Sequence, residues 1–243
     1  MTHSEYLNLI KKVNQYRNQI HLFDVEEISE NALDDLKHKI TLYELDNPTK
    51  INLNSPNYMI AGGVLEGFNK INHTRRMLSL NDIFTFEELS DWESRYKDYA
   101  LKNLGKEILN DDIQYICEPK LDGLALSLIY KNGLLLRAVT RGDGYTGEDV
   151  TENAKQINSI PKEISDKREL EVRGEVFITK KDFEKLNNDI TQGIKLGKMS
   201  KTGFEATFAN PRNVASGTLR QLDSRVVAER NLSFVAYNLW IYK

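Results

Sequence analysis

Residues 115–149 read YICEPKLDGLALSLIYKNGLLLRAVTRGDGYTGED, and their pattern decides the fold. Two apolar runs, residues 124–130 and 134–139, are separated by Lys131, Asn132 and Gly133. Asn-Gly between such runs is a strong hairpin signal because both residues tolerate positive φ, so antiparallel pairing is expected. Before the hairpin, Ile113, Tyr115 and Cys117 alternate with other residues. That spacing predicts a short strand delivering Lys120 to an Asp122-Gly123 turn. A lysine half-buried there would be costly as an ammonium, since desolvation favours the neutral amine, and a neutral amine is a nucleophile. Glu118 and Asp122, two positions to either side, would share its face on an extended backbone. The second run delivers Arg141 and Gly142-Asp143-Gly144 to the same end of the sheet, where a guanidinium and open glycine backbone suit a phosphate chain.

Outward from the hairpin, residues 170–178 alternate as a strand and place Glu175 beside Gly174 in its middle. A buried carboxylate there needs a partner or a function. Thr179 and Asp182 start a helix expected to run through residue 188, and residues 232–242, carrying Tyr237, form a closing strand. Tyr237 reads equally as a core aromatic. Residues 193–203, GIKLGKMSKTG, with Lys195, Lys198 and Lys201, read as a solvated loop, a nucleic-acid contact being the alternative. Arg212 and Arg220 are candidates for phosphate contacts or for structural ion pairs.

Towards the N-terminus, Tyr6, Leu9, Ile10, Val13 and Ile20 form one stripe of a helix over residues 4–23. A second helix follows Ser29, with Leu33, Leu36, Ile40 and Tyr43 at spacings of three and four, giving a helical hairpin closed near Pro48. Residues 49–70 read as an irregular connector. Thr85 and Glu88 form a capping box with Phe84 and Leu89 as its staple, and the helix they start is expected to turn Leu89, Trp92 and Tyr96 inward.

Composition sets limits. The 243 residues, 40% hydrophobic and 28% charged, suffice for one good core and a small second unit. No apolar run approaches a membrane span and the first residues show no signal-peptide pattern, so a cytoplasmic location is expected. A single cysteine, Cys117, rules out an intrachain disulfide, and no Cys/His cluster has metal-ligand spacing. The net charge of −3 excludes a general polyanion binder, so any nucleic-acid contact must come from a local patch.

The motif CEPKLDG, residues 117–123, looks like the K-x-D-G signature of nucleotidyltransferases. The longer words TRGDGYTGEDVTENAK, LEVRGEVF and FANPRNVASGTLRQLD resemble, in the same order, the adenylation domain of NAD-dependent DNA ligases. The resemblance implies an α+β nucleotidyltransferase fold (ATP-grasp-like, as in DNA ligase adenylation domains) with antiparallel sheets, preceded by the hairpin. Residues 1–48 would correspond to the subdomain holding the nicotinamide mononucleotide (NMN) half of NAD, and residues 49–243 to the first and central part of the nucleotidyltransferase domain. It also implies that Lys120 attacks NAD, with Mg²⁺, to form lysyl-AMP and release NMN for sealing nicked duplex DNA. Glu118 would contact adenine, with Ser79 and Leu80 bordering its pocket; Asp122 and Glu175 would hold the ribose or the metal environment. Arg141 would orient the sugar-phosphate, Arg212 and Arg220 would face phosphate or DNA, and Tyr237 would stack on adenine.

On the hairpin the family's polar positions are kept as His21, Glu30 and Asp34, while two aromatic positions hold Ile20 and Leu33. The family's later lysine-bearing strands and DNA-gripping modules have no counterpart, so a second ligase subunit supplying them is expected, as in a split viral-type enzyme in a bacterial host; a truncated fragment fits equally. An ATP-using nucleotidyltransferase and a non-catalytic scaffold are the alternatives in function.

Overall fold

The computed structural model describes residues 1–23, 27–58, 67–110, 113–195 and 207–242, without the side chains of residues 18, 20–23, 30, 194 and 195. It divides into two compact units, residues 1–78 with 121–243, and residues 79–120.

The larger unit begins with helices α1 (His3–Phe23) and α2 (Glu30–Asp46), the second capped by the Ser29 side chain accepting from the Ala32 N–H. Tyr6, Ile10 and Val13 on α1 meet Leu33, Ile40 and Tyr43 on α2 in a small apolar cluster. Leu33, at one of the two positions where an aromatic was expected, is therefore a core residue of the hairpin, 7% exposed. The Tyr6 hydroxyl donates to Glu44 at 2.7 Å and accepts from the Asn52 N–H at 2.9 Å, tying the following segment to the helix pair.

A two-stranded sheet pairs β1 (Lys70–Asn72) with β4 (Thr146–Glu148). The main sheet has four antiparallel strands in the order β3-β2-β5-β6: β2 (Leu124–Lys131), β3 (Leu134–Thr140), β5 (Glu169–Phe177) and β6 (Ser233–Tyr242). The β2–β3 turn is made by Asn132 and Gly133 with φ of 53° and 82°, the paired positive values of a type I′ turn. One face carries Leu126, Leu128 and Tyr130 with Leu170 and Val176, covered by α4 (Thr151–Ala154), α6 (Pro211–Leu219) and α7 (Ser224–Glu229) through Ala154, Val214, Leu219 and Val227. Helix α5 (Lys180–Lys195) follows β5, its first turn closed by the Asp182 N–H on Thr179 Oγ1 at 3.1 Å. It runs past residue 188, taking in Gly193 and Lys195; Lys198 and Lys201 lie outside the described residues. Strand β6 stands at the sheet edge with Val235, Leu239 and Ile241 about half exposed.

The smaller unit is organised by α3 (Phe86–Leu104), started by Thr85 accepting from the Glu88 N–H at 3.2 Å and ended by Gly105 at φ 60°. Two expectations are corrected in this unit. Leu89 and Trp92 are 44% and 39% exposed, so α3 does not turn them into a core; within the unit Trp92 packs edge-on to Tyr96 instead. Residues 113–120 form no strand and are largely exposed, Lys120 included, rather than half-buried. A period-two pattern becomes a strand only when a neighbour completes its hydrogen-bond ladder, and among the described residues none pairs with this stretch.

Candidate nucleotide site

The ladder of the main sheet assembles the site at one end. Ala125 on β2 pairs with Glu175 on β5, and Glu175 pairs with Val235 on β6. On its other side Ala125 accepts from the Arg141 N–H at 3.2 Å, just past the end of β3. Arg173 and Gly174 face Asn238 and Ala236, so Tyr237 is the extra residue of a β-bulge on β6. Bulges redirect a side chain, and this one sets Tyr237 near Glu175 and Arg141, whose charges act on its hydroxyl. Burial first, then Glu175, pushes that hydroxyl's pKa up, while the residue as a whole is 52% exposed.

Two more arginines close in from α6. Asn210 caps that helix by accepting from the Arg212 N–H at 2.7 Å, Pro211 occupies the first turn, and the Arg212 guanidinium lies 3.4 Å from the Asp122 carboxylate. Arg220, at the C-cap, donates from Nε to Glu148 at 3.0 Å; Glu148 is fully buried and also accepts from Thr140 Oγ1 at 3.2 Å. Arg220 thus takes the ion-pair alternative, while its charge is still felt at Arg141. The Arg141 pKa is lowered first by burial and then by Arg212, with Arg220 a smaller like-charge contribution and Glu175 opposing.

A fourth guanidinium was not anticipated. Arg17 on α1 has its pKa lowered to about 10, mainly by burial and then by Arg141. Nothing in the local sequence separates it from an ordinary helix-surface arginine. Glu148 was equally missed, although an acid in the Thr146-Gly147-Glu148-Asp149 run was a visible cue. Desolvated like charges repel, so they persist where other groups or a bound anion offset them. The site combines guanidiniums at Arg141, Arg212 and Arg17 suited to phosphate, carboxylates at Asp122 and Glu175 able to accept from hydroxyls, and a half-exposed aromatic ring at Tyr237 suited to a base.

The other candidates stand as follows. Lys120, Glu118, Ser79 and Leu80 belong to the smaller unit and are exposed. Asp34 is ion-paired with Lys37 at 2.9 Å on α2. His21 and Glu30 lie at the facing ends of α1 and α2, their side chains outside the described residues. Among the described residues no group of three or more His, Cys, Asp or Glu side chains is placed to hold a metal ion. Mg²⁺ bound to nucleotides needs only one or two carboxylates beside the phosphates, so Asp122 and Glu175 are the acids that fit such a role.

The family described as the NAD-dependent DNA ligase adenylation domain matches residues 65–243. The chain is 44% identical over 240 residues to a DNA ligase of Aliarcobacter butzleri, covering 99% of this chain and 34% of that protein. It is 44% identical over 239 residues to a DNA ligase of Campylobacter concisus and 41% identical over 239 residues to one of Nautilia profundicola, again covering 98% of this chain and 34% of each relative. The chain spans about a third of the length of these relatives.

Proposed function

Because this chain belongs to the family of NAD-dependent DNA ligase adenylation domains, we propose that it accepts AMP from NAD on Lys120, as the first step of sealing nicked duplex DNA. The observation that supports this most is the gathering of Arg212, Arg220, Arg17, Glu175 and Tyr237 about Arg141. In this reading Arg141 and Arg212 hold the phosphates of NAD, Glu175 and Asp122 accept from the ribose hydroxyls, and the Tyr237 ring carries adenine. Glu118, Ser79 and Leu80 complete the adenine side, and His21, Glu30 and Asp34 hold NMN at the hairpin, residues 1–48 forming its subdomain and residues 49–243 the nucleotidyltransferase part.

The step is a displacement at phosphorus. Lys120 Nζ, having given its proton to solvent, attacks the α-phosphorus; a P–N bond forms, the P–O bond to the NMN phosphate breaks, and NMN leaves with the electron pair. Lys120 is tied to the site by the chain itself, two residues before Asp122. Lys120 is exposed, and bound nucleotide would shield its Nζ from water for the attack. The guanidiniums stabilise the charge building on the phosphate oxygens. Asp122 and Glu175 are the residues that would hold Mg²⁺, which would supply further charge neutralisation.

DNA gripping falls to parts beyond this third of the ligase, supplied by a longer chain or by a second subunit. Strand β6, at the edge of the main sheet with Val235, Leu239 and Ile241 about half exposed, is where such a partner would pair. Among the described residues no helix is long and apolar enough to cross a membrane, and we place the activity in the cytoplasm. Intact-mass measurement after incubation with NAD and Mg²⁺, with and without the remaining ligase parts, tests the reading. A gain of one AMP that disappears in Lys120→Ala is expected. A gain that survives Lys120→Ala, or no gain with all parts present, would overturn it; a gain with ATP alone would reassign the donor.

A further inference from the structure

Opposite the apolar core, the main sheet buries an ion pair that the proposed chemistry does not use. Arg173 and Glu171, 5% and 2% exposed, lie two residues apart on one face of β5 and meet at 2.6 Å. Glu171 also accepts from Ser127 Oγ at 2.9 Å and from the Tyr242 hydroxyl. The Arg173 guanidinium lies 4.5 Å from the centre of the Trp240 ring. Burying both ions costs several kcal/mol each before their attraction is counted. The direction of the remaining guanidinium bonds shows what the pair holds.

Arg173 donates from Nη1 to the Arg76 carbonyl at 3.0 Å and from Nη2 to the Arg75 carbonyl at 2.5 Å. Those carbonyls lie in residues 73–77, a strap that is bound on its other side to the loop after β3. The His73 N–H donates to Tyr145 O at 2.8 Å and the Met77 N–H to Gly144 O at 2.9 Å. His73 Nε2 sits 3.0 Å from Thr140 O and 3.3 Å from Arg141 O, and the Arg76 guanidinium lies 4.6 Å from the centre of the Tyr145 ring. Met77 itself is buried. The loop so held turns through Gly142 and Gly144 at φ of 55° and 88°, conformations that cost little for glycine, and its own bonds, such as the Gly144 N–H to Arg141 O at 3.0 Å and the Thr146 N–H to Asp143 at 2.7 Å, close the turn while the strap bonds fix it against the sheet.

We propose that Arg173, oriented by Glu171, is the positioning residue for Arg141: through two carbonyls of the 73–77 strap it fixes the loop that presents the Arg141 guanidinium. This rests on the nucleotide reading for Arg141's purpose, but not for the mechanical linkage. A lysine at position 173 keeps the charge facing Glu171 and loses the rigid fork that reaches two carbonyls at once.

The test compares Arg173→Lys with the unaltered chain by site-resolved amide hydrogen exchange and by binding of adenosine 5′-monophosphate. The expected result is tenfold or faster exchange at the His73 and Met77 amides with the β2–β5 ladder unchanged, together with at least tenfold weaker nucleotide binding. Unchanged exchange at the strap overturns the proposal. So does an equal acceleration across the β2–β5 ladder, which would make Arg173 a general stabiliser. Failure of the unaltered chain to bind nucleotide overturns the nucleotide reading instead, and exchange alone then decides the linkage.

Discussion

Replacing Arg220 by methionine separates its structural role from its electrostatic one. The Arg220–Glu148 pair is 3.0 Å long, with side chains 10% and 0% exposed. In Arg220→Met the Glu148 carboxylate keeps the Thr140 hydroxyl at 3.2 Å but loses the Arg220 guanidinium. At an effective dielectric of about 20, unit charges 4 Å apart attract by about 4 kcal/mol. Stranding one member of a buried pair costs about 3–5 kcal/mol in measured cases, which agrees. For a chain of this size each kcal/mol moves the melting temperature by about 2–4 °C, so a fall of roughly 6–20 °C is expected. Urea titration and calorimetry on Arg220→Met, Glu148→Gln and the double variant provide the check. The double variant strands no charge and should recover at least half of the loss. A single-variant loss below about 1 kcal/mol, or strictly additive losses, would refute the reasoning.

Three further outcomes are expected. Gly123→Ala places a Cβ 2.0 Å from the Val176 carbonyl oxygen, so the entry to β2 must move apart by about 1 Å and carry Asp122 with it; about 1–3 kcal/mol of stability and roughly a hundredfold of AMP transfer should be lost, and normal transfer would contradict this. Burial lowers the His73 pKa against the opposing pull of the Thr140 and Arg141 carbonyls. Its stabilising effect is therefore present above the unfolded value near 6.5 and lost as pH falls through the lower folded value; an NMR titration midpoint at or above about 6.5 would reverse that sign. Tyr6→Phe removes both bonds of the hydroxyl to Glu44 and Asn52 and should cost about 1–3 kcal/mol in urea unfolding, whereas an unchanged midpoint would mean that the network adds nothing.

The hairpin at Asn132-Gly133, the two N-terminal helices and the Thr85 cap were legible because each rests largely on contacts within a few residues, where side-chain period and turn chemistry dictate the backbone; strand β5 was legible by its alternation, and β2 and β6 complete its ladder. Glu175 was legible as a carboxylate within an alternating strand, whereas the Glu171–Arg173 pair on the same face was not read from the sequence. Residues 113–117 misled because alternation alone supplies no ladder partner, and Trp92 because an amphipathic stripe does not say what, if anything, covers it.

Residue order thus determined by itself the family and most of the elements. Only the tertiary structure decided which charges meet: that Arg17 comes from α1 to Arg141, that Arg220 is committed to a fully buried Glu148, and that Arg173 reaches 97 residues back to hold the Arg76 carbonyl. Coulomb and hydrogen-bond energies depend on distance in space, and distances between residues so far apart in sequence are set by how the sheet and its helices pack.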